Sequence, residues 1–298
     1  MNQVPSSELS TAEPTPQHPQ GSSARFRIST DLRYRISGPS AFIFNISVAG
    51  GAHQHLIEES ITASSGGGIR ECPSGEREKR HHRLSVEAGD LQVSYSATVQ
   101  LSHEHCADTD LPEIPPADLP PDAIAYLYPS RYCESDKLAR MAMKEFGNLQ
   151  PGFSRVTGIC NWIYENVEYL RGSTNPLTSA FDTATERAGV CRDFAHLGIA
   201  FCRALAIPAR FVSGYAYGLE PCDFHAYFEA FLGGNWYIFD ATRLAPATGF
   251  IRVGTGRDAA DTSFATIYGP VEFQWMAIKV EHLDGPEPVH TTDAITMG

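Results

Sequence analysis

Cys191, His225 and Asp240 are the side chains of this sequence whose types and surroundings suit acyl transfer: a thiol nucleophile, an imidazole base and a carboxylate to orient it. Cys191 follows Gly189 and Val190 and opens the run CRDFAHLGIAFCRALAI, which reads as a buried helix. The first turn of a helix carries unpaired N–H groups and the positive end of the dipole, and both favour thiolate over thiol. The same N–H groups can hold an oxyanion. Alone, this placement fits an inert buried cysteine better, since most cysteines in apolar helices are of that kind.

The downstream hairpin adds the base. HAYFEAFL and NWYIFDAT flank Gly233-Gly234, a pair suited to a two-residue type I′ turn because both central residues need positive φ. Such a turn sets Leu232 opposite Asn235 and Tyr227 opposite Asp240. His225 shares a face with Tyr227, so it is the diagonal neighbour of Asp240, roughly 7–8 Å away between backbones and within side-chain reach. A three-residue loop would put the two on opposite faces. With the short turn, Asp240 fixes the imidazole tautomer and stabilises the imidazolium, while His225 takes the thiol proton and later gives it to a leaving amine.

Other ligand-type residues read differently. His196 lies five residues after Cys191, about 140° away around a helix axis, and is read as structural. Cys160 falls on the apolar face of a helix expected over Phe153 to Tyr169 and is read as core. Cys222 lacks a CxxC partner for a closed zinc site. HEHC, with His103, His105 and Cys106, and the His81-His82 pair are read as exposed strand ends. No cofactor and no metal are expected.

The elements that position these groups form two units. From Arg25 to about Gln100, alternation and β-branched residues (FRISTDLRYRI, LSVEAGDLQVSYSATVQL) predict antiparallel strands and an N-terminal β-sandwich domain over residues 25–106. Prolines at 112, 115, 116, 120 and 121 make residues 107–121 a stiff linker. Residues 122–298 begin with helical periods, DKLARMAMKEF with Ser135 as N-cap, and continue after the Cys191 helix as strands. The fold class is α+β: the β-sandwich precedes a catalytic domain whose helices pack on an antiparallel sheet. Residues 1–24 are polar, have no basic n-region or apolar h-region, and read as a disordered tail rather than a signal peptide.

The formal net charge of -12 disfavours nucleic acid and anionic membrane as partners, since both are polyanions. No stretch reaches the roughly 18 apolar residues of a membrane span. The expected partner is a protein or peptide substrate; the oligomeric state stays open. Seven cysteines without a repeated spacing do not read as a disulfide framework, which with the missing export signal points to a reducing cytoplasm.

GVCRDFAHL, GIAFCRALAIPARFVSGY, HAYFEAF and WYIFDAT, in that order, resemble the papain-like core shared by transglutaminases, microbial cysteine proteases and peptide N-glycanases, over about Tyr126 to Phe273. The sheet-rich region with YLYPSRYCESDKL is similar to bacterial members that carry an amino-terminal β domain. The resemblance maps nucleophile, base and orienting acid onto Cys191, His225 and Asp240. It implies a thioester released to water by a cysteine hydrolase or to an amine by a transglutaminase; a catalytically retired binding protein is the reading from another class. The second oxyanion donor of eukaryotic transglutaminases is a tryptophan ahead of the cysteine, but Trp162 is expected on a helix, so that donor is unassigned. Trp236 is expected to pack the hairpin. RVGTGRDAADTSFATIYG resembles the carboxy-terminal part of the bacterial proteins, with Arg257, Asp258 and Asp261 either lining the cleft or forming a solvated loop.

Overall fold

The computed structural model describes residues 23–64, 68–72, 79–107 and 110–298; residues 1–22 of the expected tail lie outside them. Strand Ala24–Ile36 buries every second residue, as its alternation requires. It pairs with Gly89–Leu101 in unbroken antiparallel register from Ala24 opposite Leu101 to Ile36 opposite Gly89. Its inward Phe26, Ile28, Leu32 and Tyr34 share one core with Phe42, Phe44 and Leu84 of a second four-stranded sheet. The fold is α+β, with antiparallel sheets first and helices packed against a six-stranded antiparallel sheet afterwards.

The boundary expected at the linker is crossed in both directions. Val271–Asp284 becomes the edge strand beside Ala24–Ile36, and Ala265–Tyr268 pairs with Ser40–Phe44, so late chain completes both early sheets. Conversely, Glu104–Cys106 joins the six-stranded sheet through Ala294–Thr296. An edge strand offers a row of unpaired N–H and C=O groups, and these strands satisfy such rows on each side. Alternation predicts that a strand exists but not which sheet receives it.

The proline-rich segment is bound rather than free. Leu111 O accepts from Phe153 N–H at 3.0 Å and Pro112 O from Gly233 N–H at 2.9 Å, which straps it to the hairpin turn. Ser135 is the first residue of helix Ser135–Phe146 and makes no capping bond, a correction to its expected N-cap role. His82 and His103 are buried, 3% and 6% exposed, which corrects their reading as exposed strand ends. Each lies where its strand or strand approach turns inward, and burial, helped by the nearby His105 and Arg252, lowers the His103 pKa to about 3.

In the six-stranded sheet the order is Phe250–Gly256, Ala209–Ala216, Phe224–Leu232, Asn235–Phe239, Ala294–Thr296 and Glu104–Cys106. Helix Cys191–Ala204 is buried on nearly all sides and packs on Ala209–Ala216 and Phe224–Leu232. Gly198 permits this approach: a Cβ there would stand 2.5 Å from Phe228 Cε1. Gly198→Ala is therefore expected to destabilise by about 1–3 kcal/mol through overpacking, although glycine to alanine inside a helix ordinarily stabilises by about 1 kcal/mol. Urea unfolding of the two proteins checks the sign.

Candidate active site

Cys191 is the first residue of its helix, half-buried, with Val190 as N-cap. The turn is held by Asp193, whose fully buried carboxylate accepts from Val190 N–H at 3.0 Å and from Arg192 Nε and Nη2 at 3.0 and 2.8 Å. A carboxylate in the first turn also complements the helix dipole. Just before Cys191, Ala188–Gly189 pairs in parallel with Glu168–Tyr169. Leu170 N–H bonds Gly189 O at 2.9 Å, which fixes Tyr169 beside the start of the helix.

The hairpin forms in the expected register. Gly233 and Gly234 take φ of 55° and 95°, and Leu232 lies opposite Asn235. His225 Nε2 lies 2.9 Å from Asp240 Oδ2, with the two side chains 0% and 7% exposed. Asp240 is itself oriented, since Thr242 N–H donates to Oδ1 at 2.8 Å and Thr242 Oγ1 to Oδ2 at 2.9 Å. The ring of Phe250, 5.1 Å away, packs against the imidazole.

Burial works against a charged imidazole, yet the His225 pKa rises to about 10, because the charge and hydrogen bond of Asp240 outweigh it and the nearby Cys191 adds to them. Asp240 occupies Nε2. Nδ1 is buried and takes no hydrogen bond from the sheet around it, which leaves it to the proton it shares with Cys191, with which it lines a common cavity.

Two cavities meet at Cys191. One, of about 330 Å³, is lined by His225, Ala226, Arg192, Phe211 and Tyr132 among others. The second, of about 540 Å³, is lined by Tyr169, Val190, Leu219, Phe273 and Met276 among others. Cys191, Phe224, Phe264 and Ala265 border both, and the rings of Phe224 and Phe264 stack with centroids 3.8 Å apart.

Tyr169 escapes sequence reasoning. The helix expected to run to Tyr169 ends at Asn166, and Tyr169 belongs to the short parallel bridge instead. It lines the larger cavity together with Cys191, and burial, followed by the Cys191 charge, raises its pKa to about 12. The only signal for it is a β-branched residue and an aromatic closing the helical run in NVEYL.

The remaining residues singled out from the sequence lie away from the sulfur. His196 is buried, stacks on Tyr132 with centroids 5.1 Å apart, and accepts the Ala259 N–H on Nε2 at 3.1 Å. Trp162 packs against Phe146 and Phe201, and Trp236 against Tyr126 and Phe231. Cys160 is core and Cys222 is exposed. Asp258 is buried and accepts from Tyr132 N–H and Ala260 N–H, both at 2.9 Å, while Arg257 and Asp261 form an ion pair at 3.0 Å. From that loop it is Ala259, Thr262, Ser263 and Phe264 that line the smaller cavity. Among the described residues no group of three or more potential metal ligands occurs, and no helix is long and apolar enough to cross a membrane.

Comparison with known proteins agrees with this architecture. Residues 24–122 match the bacterial transglutaminase N-terminal domain, and residues 140–241, which contain all three of Cys191, His225 and Asp240, match the transglutaminase-like superfamily. A solved structure from Cytophaga hutchinsonii named "Putative Cysteine Protease" is 45% identical, with a TM-score of 0.89 over 93% of this chain and 98% of that one. An uncharacterized Mycobacterium leprae protein is 33% identical over 117 residues, 36% of this chain and 42% of that protein. A Mycobacterium tuberculosis protein is 35% identical over 81 residues, 27% of this chain and 26% of that protein. The matched segments thus span less than half of these curated relatives. The chain belongs to the transglutaminase-like superfamily and carries the bacterial N-terminal domain.

The His225–Asp240 pair sets a pH dependence. The folded-state pKa of His225, about 10, lies above the ordinary 6.5. Its contribution to stability is therefore complete below about pH 6.5 and is lost as pH rises through about 10. The difference in unfolding free energy between the native protein and Asp240→Asn should shrink across that window in urea titrations at successive pH values.

Proposed function

We propose that this chain is a cysteine hydrolase that cleaves a peptide or isopeptide amide through a thioester on Cys191. The observation that carries the reading is the buried imidazole of His225, held on Nε2 by Asp240 and with Nδ1 left to Cys191. With the thiol proton already resting on Nδ1 of the imidazole, whose pKa is raised, the Cys191 thiolate attacks the amide carbonyl. The oxyanion receives the Cys191 N–H and the Tyr169 hydroxyl. The C–N bond breaks as the Nδ1 proton moves to the leaving amine, and a thioester remains. Water then gives a proton to His225 and attacks the thioester, which releases a carboxylic acid and returns the thiol.

A primary amine entering in place of water would make the same thioester a transglutaminase intermediate, a reading favoured by the family and by the room of the 330 Å³ cavity beside His225. Incubation with a labelled alkylamine and glutamine-containing peptides separates the two, since hydrolysis leaves the amine free. A reducing cytoplasm suits either reaction, and all seven cysteines carry free thiols.

Cys191→Ala should abolish labelling by a peptidyl acyloxymethyl ketone, read by intact mass; labelling that persists on another cysteine contradicts the assignment. Tyr169→Phe should lower kcat by about 100-fold with little change in KM, the pattern for a donor used in the transition state.

A further inference from the structure

The 540 Å³ cavity is built only partly from the catalytic region. Leu32 and Tyr34 come from strand Ala24–Ile36, and Phe273 and Met276 from strand Val271–Asp284 beside it. Tyr169, Leu219 and Phe224 close the other side. The charged groups on its wall, Arg171 and Asp223, are of opposite sign, so the apolar walls set its preference. A cavity of this size and character suits a large apolar group.

Its position relative to the reacting atoms gives it a role. His225 must reach the departing nitrogen to protonate it, and His225 lines the smaller cavity but not the larger. Tyr169, which the bridge to Gly189 sets beside the start of the Cys191 helix, lines the larger but not the smaller. A substrate crossing Cys191 therefore leaves its amine half beside His225 and its acyl half toward Tyr169.

On the reading of Cys191 as an amide-cleaving nucleophile, we infer that the cavity between the N-terminal sheet and the catalytic region is the acyl-side specificity pocket. It takes a large aliphatic or aromatic side chain of a polypeptide substrate on the acyl side of the scissile bond. The N-terminal sheet and the late strand that completes it then select the substrate directly. Burial of such a side chain, relative to glycine, corresponds to roughly 10- to 100-fold in rate.

The test uses the full chain and acetyl-Ala-Xaa acyloxymethyl ketones with a constant leaving group and Xaa as Phe, Leu, Gly or Asp. Rates of Cys191 modification are read by intact mass. The Phe and Leu probes should react about 10- to 100-fold faster than the Gly and Asp probes. Phe273→Ser should bring the Phe-to-Gly ratio toward 1; because Phe273 is 53% exposed, this change leaves the core closed, and the Gly-probe rate in the variant reports its folding. A flat series in the native protein, or a ratio untouched by Phe273→Ser, overturns the assignment. Iodoacetamide, too small to sense the cavity, reads the thiol separately. If it fails to alkylate Cys191 the nucleophile reading fails, whereas alkylation with a flat series removes only the pocket.

Discussion

A charged imidazole in the interior of a sheet is the constraint on which the rest of this structure turns. His225 is fully buried, and a buried cation is tolerable only with a partner of opposite charge at hydrogen-bonding distance. Asp240 supplies that partner, and Thr242 holds the carboxylate in place with two hydrogen bonds. The pairing depends on a two-residue turn, since one more residue in the loop would turn Asp240 to the other face. The Cys191 side chain lies beside this pair and adds to the rise of the His225 pKa. It is placed there by helix Cys191–Ala204, which can lie close on strand Phe224–Leu232 because position 198 has no side chain to meet Phe228. Removing either partner of the buried pair leaves a group without compensation, so stability draws on the contacts that build the site.

The N-terminal sheet is tied to this arrangement through strand exchange. Late chain pairs with early strands and an early strand extends the six-stranded sheet, so neither part completes its hydrogen-bonding ladders alone. Tyr215 of the six-stranded sheet reinforces the join: its hydroxyl donates to Ile46 O at 2.6 Å and lies 3.0 Å from Thr30 Oγ1.

Much of this is legible from local chemistry. The period-2 pattern of Ala24–Ile36 identifies its buried face, and the two glycines at 233 and 234 locate the turn that aligns His225 with Asp240. What is not legible depends on long-range choices. The chain places Ser135 inside its helix because Glu134 takes the N-cap position. Tyr169 leaves the helical pattern because its backbone is claimed by Ala188–Gly189. His103 is buried because it lies where the chain passes from Gly89–Leu101 in one sheet to Glu104–Cys106 in another, a crossing that its own segment does not encode. Likewise the wall provided by Phe273 and Met276 follows from strand Val271–Asp284 crossing to the other sheet, which no local period encodes.

The central claim is that His225 is held as an imidazolium between Asp240 and Cys191. Titration of its ring nitrogens by ¹⁵N NMR, with the resonances assigned by comparison with His225→Gln, tests this directly. The structure predicts a midpoint well above the ordinary 6.5, near 10, in the native protein, and a lower midpoint in Cys191→Ala. A midpoint at or below the ordinary value would contradict it.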